Sequence, residues 1–419
     1  MIRVGVIGGG AAGLMAATVL VESLHPGGIE LHVFEKNDHV GAKVLISGGG
    51  RCNVTTGFTE VRDVLRKYPR GASFLKYALY EFGPKAMYTW VEEHNVGLKT
   101  EDDMRVFPNS NNGADVVGIF ERILHRYKAE IHLNASVKMI TKEECFAIEL
   151  HSGEIYECDY VVITTGGQAY RHTGSTGDGY AFAESLGHTT TNLAPSLHSF
   201  VVSEDWIADL AGVSYDEVKF SAISTQQVYT YTGPMMFTHK GVTGPCVFAV
   251  SSQCAFEPFS KEQPLTLAID LVPKRNEDEL VDDIFELITH NPQKSFKNIL
   301  DILLPRRLAE LCMKIFSWDT AKVASTVSKK DVRQVAMFLK KMTLHAVRKG
   351  VGDEFVTAGG VRLSEVSDQT MESLITPGLY FAGEVLDIDG YTGGYNLQSA
   401  WSTGYIAARS IAAKIEAVA

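Results

Sequence analysis

Three glycines and one acid make the first chemical statement of this chain. Gly8, Gly10 and Gly13 fall at the G-x-G-x-x-G spacing in VGVIGGGAAGLMAA, and Glu35 follows Gly13 by 22 residues. Glycines so spaced open backbone amides to a phosphate: Gly8 permits a tight turn, Gly10 a close approach to a pyrophosphate, and Gly13 close packing of a helix on a strand. An acid at that distance accepts hydrogen bonds from ribose hydroxyls and repels a 2′-phosphate, which leaves FAD or NAD as the dinucleotide.

These residues work only if local structure positions them. Residues 2–7 read as a short buried strand, residues 11–24 as an apolar helix ended by Pro26 and two glycines, and residues 29–35 as a second strand closing on the acid. The helix start then offers free N–H groups and a partial positive charge to phosphates.

A second glycine-dense stretch, FAGEVLDIDGYTGGYNLQSAW at residues 381–401, carries Gly383, Glu384, Asp389, Gly394, Tyr395, Asn396 and Leu397. It is expected to be the other half of the same cofactor site, with a helix starting near Asn396. Between the two halves, GAKVLISGGGRCNVT at residues 41–55 reads as a loop passing the cofactor, with Ser47, Gly48 and Gly49 as donors and Arg51, Cys52 and Asn53 directly after them. Cys52 has no partner cysteine nearby and reads as a small buried side chain. Strand-like runs at residues 137–140, 145–151 and 156–159 suggest a small β-meander, and the buried run at residues 160–164 leads into Thr165, Gly166 and Gly167.

Composition frames the rest. A chain of 419 residues with 45% apolar and 21% charged residues belongs to the multi-domain globular class. Its net charge of −11 argues against a nucleic-acid partner, because phosphate binding needs clustered Lys and Arg. No apolar run approaches the roughly 20 residues that span a bilayer, and no signal-peptide pattern opens the chain, so no membrane partner and a cytoplasmic location are expected. Six cysteines without a C-x-x-C pair argue against a disulfide framework, a zinc site or an iron–sulfur site, and no metal is expected. Composition shifts near Pro195 and again before Thr357, which suggests residues 1–194 and 346–419 as two parts of one domain. The insert at 195–345 reads as β-rich over 195–271 and helical over 277–344.

Taken in order, GGGAAGLMAA, LISGGGRCNVT, TTGG, TGSTGDGY, FTHKGVTGP, TAGGV and LYFAGEVLDIDGYTGGYNLQSAW resemble the BaiN/YhiN-like NAD(P)/FAD-dependent oxidoreductases, also labelled the aminoacetone oxidase family. The resemblance implies an α/β fold: a Rossmann-like two-part FAD-binding domain with an inserted β-barrel plus helical domain. It also adds Ala12, Lys36, Lys43 and Val137 to the expected cofactor contacts. A fainter likeness to fumarate-reductase-like flavoproteins places Gly383 and Glu384 near the ribityl chain and pyrophosphate, and residues 394–397 at the flavin pyrimidine edge. Two departures from the family pattern are Tyr170-Arg171-His172, which stands where a proline is usual nearby, and Met104, which stands where glycine is usual.

The expected activity is hydride transfer at flavin N5 to or from a small organic substrate, with NAD(P)H as a further expectation for the reductant. The alternatives are a flavin-binding electron carrier or partner-binding protein and, more weakly, a tRNA-modifying flavoprotein. Candidate catalytic groups lie outside the cofactor motifs. Arg105 in MRVFPNS could hold a carboxylate or carbonyl, and His239 in FTHKGVTGP could give or take a proton near neutral pH.

Overall fold

The computed structural model describes residues 1–24, 28–350 and 355–418. The chain divides into two compact units, Met1–Ser196 with Phe355–Ala419, and Leu197–Glu354.

The first unit is built on a five-stranded parallel sheet. Its strands are β1 (Ile2–Ile7), β2 (Ile29–Phe34), β3 (Glu130–His132), β4 (Tyr160–Ile163) and β5 (Leu379–Phe381), in the spatial order β5-β4-β1-β2-β3. β1 lies in the middle, with Val4 opposite Leu31 on one side and Tyr160 on the other. The runs IRVGVI, YVVI and LYF are apolar on both faces because helices and a second layer cover both sides, as parallel strands require. Two helices matter for the site: α1 (Ala11–Ser23), almost wholly buried, and the 24-residue α2 (Tyr395–Val418) that crosses it. The residues read as ending α1, Pro26 and Gly27, lie outside the described residues. A meander of Val137–Lys142, Phe146–Leu150 and Ile155–Cys158 lies against β1, where Gly5 leaves room for Ile148 and Cys158.

The second unit is a closed six-stranded barrel that shares one hydrophobic core with its helices. Phe200, Phe220, Phe237 and Leu267 of the barrel and Ile284, Leu300, Leu308 and Val335 of the helices are all buried in that core. Helix starts follow local chemistry: Asn276 with Glu279, and Ser328 with Asp331, form reciprocal capping boxes. The expected helical run extends to Leu344, whereas the chain turns to strand at Met342. In Met342–Lys349 the buried Met342, Leu344 and Ala346 alternate with exposed Thr343 and His345, a period of two, and this strand closes the barrel between Phe200–Val202 and Leu265–Asp270. Among the described residues no helix is long and apolar enough to cross a membrane.

The crossing of α1 and α2 is backbone on backbone. A Cβ added at Gly404 would lie 2.4 Å from the Ala12 carbonyl oxygen. Helix propensity alone gives Gly404→Ala a gain of about 1 kcal/mol, while overpacking costs about 1–3 kcal/mol or more. Packing wins here, because a backbone carbonyl cannot rotate away as a side chain can. Urea unfolding of Gly404→Ala is expected to show lower stability than the parent, and a variant of equal or higher stability would mean that the crossing is loose.

Candidate cofactor site

The turn after β1 is shaped by Gly8, whose φ is +108° and whose Cβ would lie 2.8 Å from the Thr164 carbonyl oxygen. Thr164 locks the same corner, donating its hydroxyl to the carbonyls of Ile7 and Gly8 at 2.9 and 2.8 Å. Gly13 fits where a Cβ would stand 1.9 Å from the Gly8 carbonyl oxygen, so its role is helix-to-strand packing. Gly10 differs: a Cβ there meets no atom within 4 Å, and α1 begins on it with no side-chain cap and no acid in its first turn. The helix start therefore presents amides to an open cradle at the carboxyl end of the sheet, where its strand order switches from β2 to β4.

Glu35, buried at the end of β2, accepts the Gly9 amide at 2.8 Å through one carboxylate oxygen and the Asn37 amide and side chain at 2.9 and 2.7 Å through the other. The sequence marks this acid as a ribose ligand. In the fold it also braces the glycine turn, and the oxygen that accepts the Gly9 amide keeps acceptor capacity for a hydroxyl.

The C-terminal stretch joins this corner directly. A Cβ on Gly383 would stand 2.9 Å from that of Ala12, and the Gly383 amide donates to the Thr403 hydroxyl at 2.9 Å. Lys43 pairs with Glu384 at 2.6 Å, and Glu384 also accepts the Thr357 amide at 2.9 Å beside Gly167. Lys36 is drawn to Asp178 and Thr176 at 2.7 and 2.6 Å. Val137, in the first meander strand, follows a segment tied to β2 by the Ala135 amide on the Glu35 carbonyl at 2.9 Å. Thr165 carries a buried hydroxyl with no hydrogen-bond partner, beside Gly166 at φ +74°. An open glycine cradle, uncapped helix amides, a buried carboxylate and an orphaned hydroxyl fit a dinucleotide such as FAD.

Several expected contacts serve the fold as well. The loop at residues 41–55 is a short helix, Ala42–Ile46, and a tight turn, Ser47–Gly50, in which the Ser47 hydroxyl donates to the Val44 carbonyl at 2.8 Å. Gly48 packs against Phe107, while Gly49 faces open space. Arg51 lies over the Phe107 ring at 3.7 Å and pairs with Glu101 at 2.7 Å; Asn53 accepts the Val106 amide at 3.2 Å. Asp389 is fully buried in an ion pair with Arg70 and accepts the Ser196 hydroxyl at 2.7 Å. The Asn396 side chain is spent on Gly390, accepting its amide and donating to its carbonyl, each at 2.8 Å. The Tyr395 carbonyl accepts the Tyr68 hydroxyl at 2.7 Å. Gly394, expected to admit a flavin ring, has φ +90° and lies where a Cβ would be 2.3 Å from the Thr55 carbonyl oxygen. Its bareness is explained by its own chain. At the start of α2 the first-turn backbone amides of Asn396 and Leu397 have no carbonyl partner within the helix.

The two catalytic candidates lie in different units. Arg105 belongs to the first, half-exposed and paired with Asp103 at 2.6 Å and Glu101 at 3.2 Å. His239 belongs to the second and is exposed between Val228–Phe237 and Gly241–Thr243. Met104, where glycine is usual, has φ +66°, which accounts for that usual choice. Sequence reasoning missed Arg70, Thr55 and Gln398, whose side-chain amide oxygen accepts the Thr55 hydroxyl at 2.5 Å. Nothing local marks them. Thr357 stood inside the flagged TAGGV run, and that signal was legible.

Burial decides the chemistry of Cys52. It is fully buried, and its thiol is pushed up to about 12, so it holds its proton and is a poor nucleophile. Iodoacetamide at pH 8 is expected to spare Cys52 in the folded protein while reaching the partly exposed Cys145; peptide mass spectrometry reads both, and rapid Cys52 labelling would reopen a redox role. For Glu35→Ala, the loss of charged hydrogen bonds of about 1.5–3 kcal/mol is expected twice. Apoprotein thermal stability falls, and FAD binding in a fluorescence titration weakens roughly 10- to 100-fold. Unchanged affinity with lowered stability would leave Glu35 as a brace alone.

Comparison with known proteins agrees with this geometry. The profile of the HI0933-like protein Rossmann domain matches residues 2–410. The chain is 29% identical over 414 residues to the 3-dehydro-bile acid delta(4,6)-reductase of Clostridium scindens, covering 98% of this chain and 99% of that protein. It is 30% identical over 416 residues to the ribosomal RNA dihydrouridine synthase of Haemophilus influenzae, covering 97% of each. Among solved structures, the 3-ketosteroid-delta4-(5alpha)-dehydrogenase from Rhodococcus jostii is similar in fold at a TM-score of 0.50 and 13% identity, over 98% of this chain and 97% of that one. With the glycine turn, the acid and the C-terminal helix in place, the chain belongs to the HI0933-like Rossmann family and is an FAD-dependent oxidoreductase.

Proposed function

We propose that this protein reduces a carbon–carbon double bond conjugated to a carbonyl in a small organic substrate, with NAD(P)H as the source of electrons. The observation that carries the reading is a shared bond change. Two relatives that span nearly the whole chain are named for different substrates, a bile acid and ribosomal RNA, yet both names describe saturation of such a double bond. Bound FAD would supply the hydride at flavin N5. The chain's own part is to hold the dinucleotide through the amides at Ala11–Gly13 and the Glu35 carboxylate, and to present the first-turn amides of α2 to negative charge. Reduction puts a hydride on the β-carbon and a proton on the α-carbon. A donor or cation must stabilise the carbonyl oxygen, and a titratable group must deliver the proton; Arg105 and His239 are the candidates for those duties. The net charge of −11 favours a small molecule over a polyanion.

The test is anaerobic. The FAD-loaded protein is mixed with NADH or NADPH until the flavin absorbance bleaches, and a 3-oxo-Δ4 steroid or a simple cyclic enone is then added. Return of flavin absorbance with loss of the enone band is expected. Arg105→Ala and His239→Ala, measured singly, are expected to keep the FAD spectrum and slow that return at least tenfold. A parallel arm offers unmodified ribosomal RNA and assays dihydrouridine. Product there and none from any enone would overturn the small-molecule reading, while reoxidation by oxygen alone would overturn double-bond reduction altogether.

A further inference from the structure

Outside the cofactor site, one cluster among the described residues has the composition and spacing of a metal centre. His32 of β2 stands opposite Glu130 of β3 in the parallel register, and His132 lies two residues further along β3, opposite Phe34. Alternation along strands puts Glu30, His32, Glu130 and His132 on one face of the sheet edge. Their ligating atoms converge: His32 Nδ1 is 3.0 Å from His132 Nε2 and 3.4 Å from Glu130 Oε2, and His132 Nε2 is 3.7 Å from the same oxygen. A tetrahedral ion with bonds of about 2.1 Å sets its ligands about 3.4 Å apart. The three separations bracket that value.

We infer that His32, Glu130 and His132 form a divalent-cation site, suited to Zn²⁺ by its two imidazoles and one carboxylate. Three further features support it. The other ring nitrogen of His32, Nε2, lies 3.2 Å from Glu30 Oε1, the outer carboxylate that orients a ligating imidazole and fixes its tautomer. Hydrogen bonding accounts for the contact between the two histidines, but Glu130 stands beyond the usual 2.7–3.2 Å from both rings, at the distance of a ligand sharing a centre. The site is also walled on one side and open on another. The Tyr156 ring of the meander lies tilted against both imidazoles, with centroids 5.3 Å from His32 and 5.0 Å from His132, while the side chains are 6% exposed at His32, 21% at His132 and 59% at Glu130. A tetrahedral ion would take water as its fourth ligand on that open side.

The consequence is mechanical. β3 is a three-residue edge strand, and the His132 carbonyl accepts the Glu35 amide at 2.9 Å. An ion bridging β2 and β3 clips that edge beside the residue that braces the glycine turn. The cysteine pattern carried no sign of such a site, because none of its ligands is a cysteine.

The test uses the full-length FAD-loaded protein, stripped with a chelator, dialysed, and titrated with Zn²⁺ against a chromogenic competitor, with metal content read by elemental analysis. One Zn²⁺ per chain and a rise in melting temperature are expected. Glu130→Gln, at an exposed position that leaves folding intact, is expected to weaken binding at least tenfold, and His132→Gln to abolish the thermal shift. Parent protein that takes up well under one equivalent would overturn the inference. So would stoichiometric uptake that Glu130→Gln leaves unchanged, since the ion would then sit elsewhere.

Discussion

The first unit depends on one close contact, the approach of the C-terminal segment to Ala12. Gly383 leaves room for the Ala12 methyl and Gly404 for its carbonyl, so the strand end at β5 and the helix α2 both close on the first turn of α1. Nothing larger than glycine fits at Gly404 without moving backbone, and packed backbone has little freedom to give. The chain leaves this unit after Ser196 and returns at Phe355, so its two parts form one sheet only because β5 pairs with β4 and α2 crosses α1. A discontinuous domain is held here by shape more than by charge.

Charge works on a second level. Lys43 with Glu384 and Arg70 with Asp389 each join the early part of the chain to the late part. Asp389 is fully buried, and such a carboxylate is tolerated because Arg70 and Ser196 both satisfy it. Breaking either partner would strand a charge, so these pairs specify which segments meet even if their net contribution to stability is small. Most of the expected ligand side chains prove to be engaged with the protein itself. The backbone amides at the starts of α1 and α2, Ala11–Gly13 and Asn396–Leu397, suit a cofactor recognised by its phosphates and its reducible ring.

The second unit shows another economy. Its barrel and helices share one core, so the β-rich and helical runs are parts of a single packed body, and the closing strand comes from the far side of the helices. Covalent order and spatial order diverge here as they do in the first unit.

The sequence by itself determined the strand–turn–helix–strand unit, the meander and the start of α2, because each is specified by periodicity, glycine spacing and caps within a few dozen residues. It also determined Glu35 as an acid at the second strand end, though not that Glu35 braces Gly9. Only the tertiary structure decided the partners of Asp389, Glu384 and Gly394, the strand that closes the barrel, and the convergence of His32 with Glu130 and His132. Those outcomes rest on which strands become neighbours and in what register, and residue spacing along the chain carries no record of contacts made hundreds of residues away. Gly394 shows the difference most plainly: its sequence context announced that a side chain was forbidden, and only the fold revealed that Thr55, a residue of the same chain, forbids it.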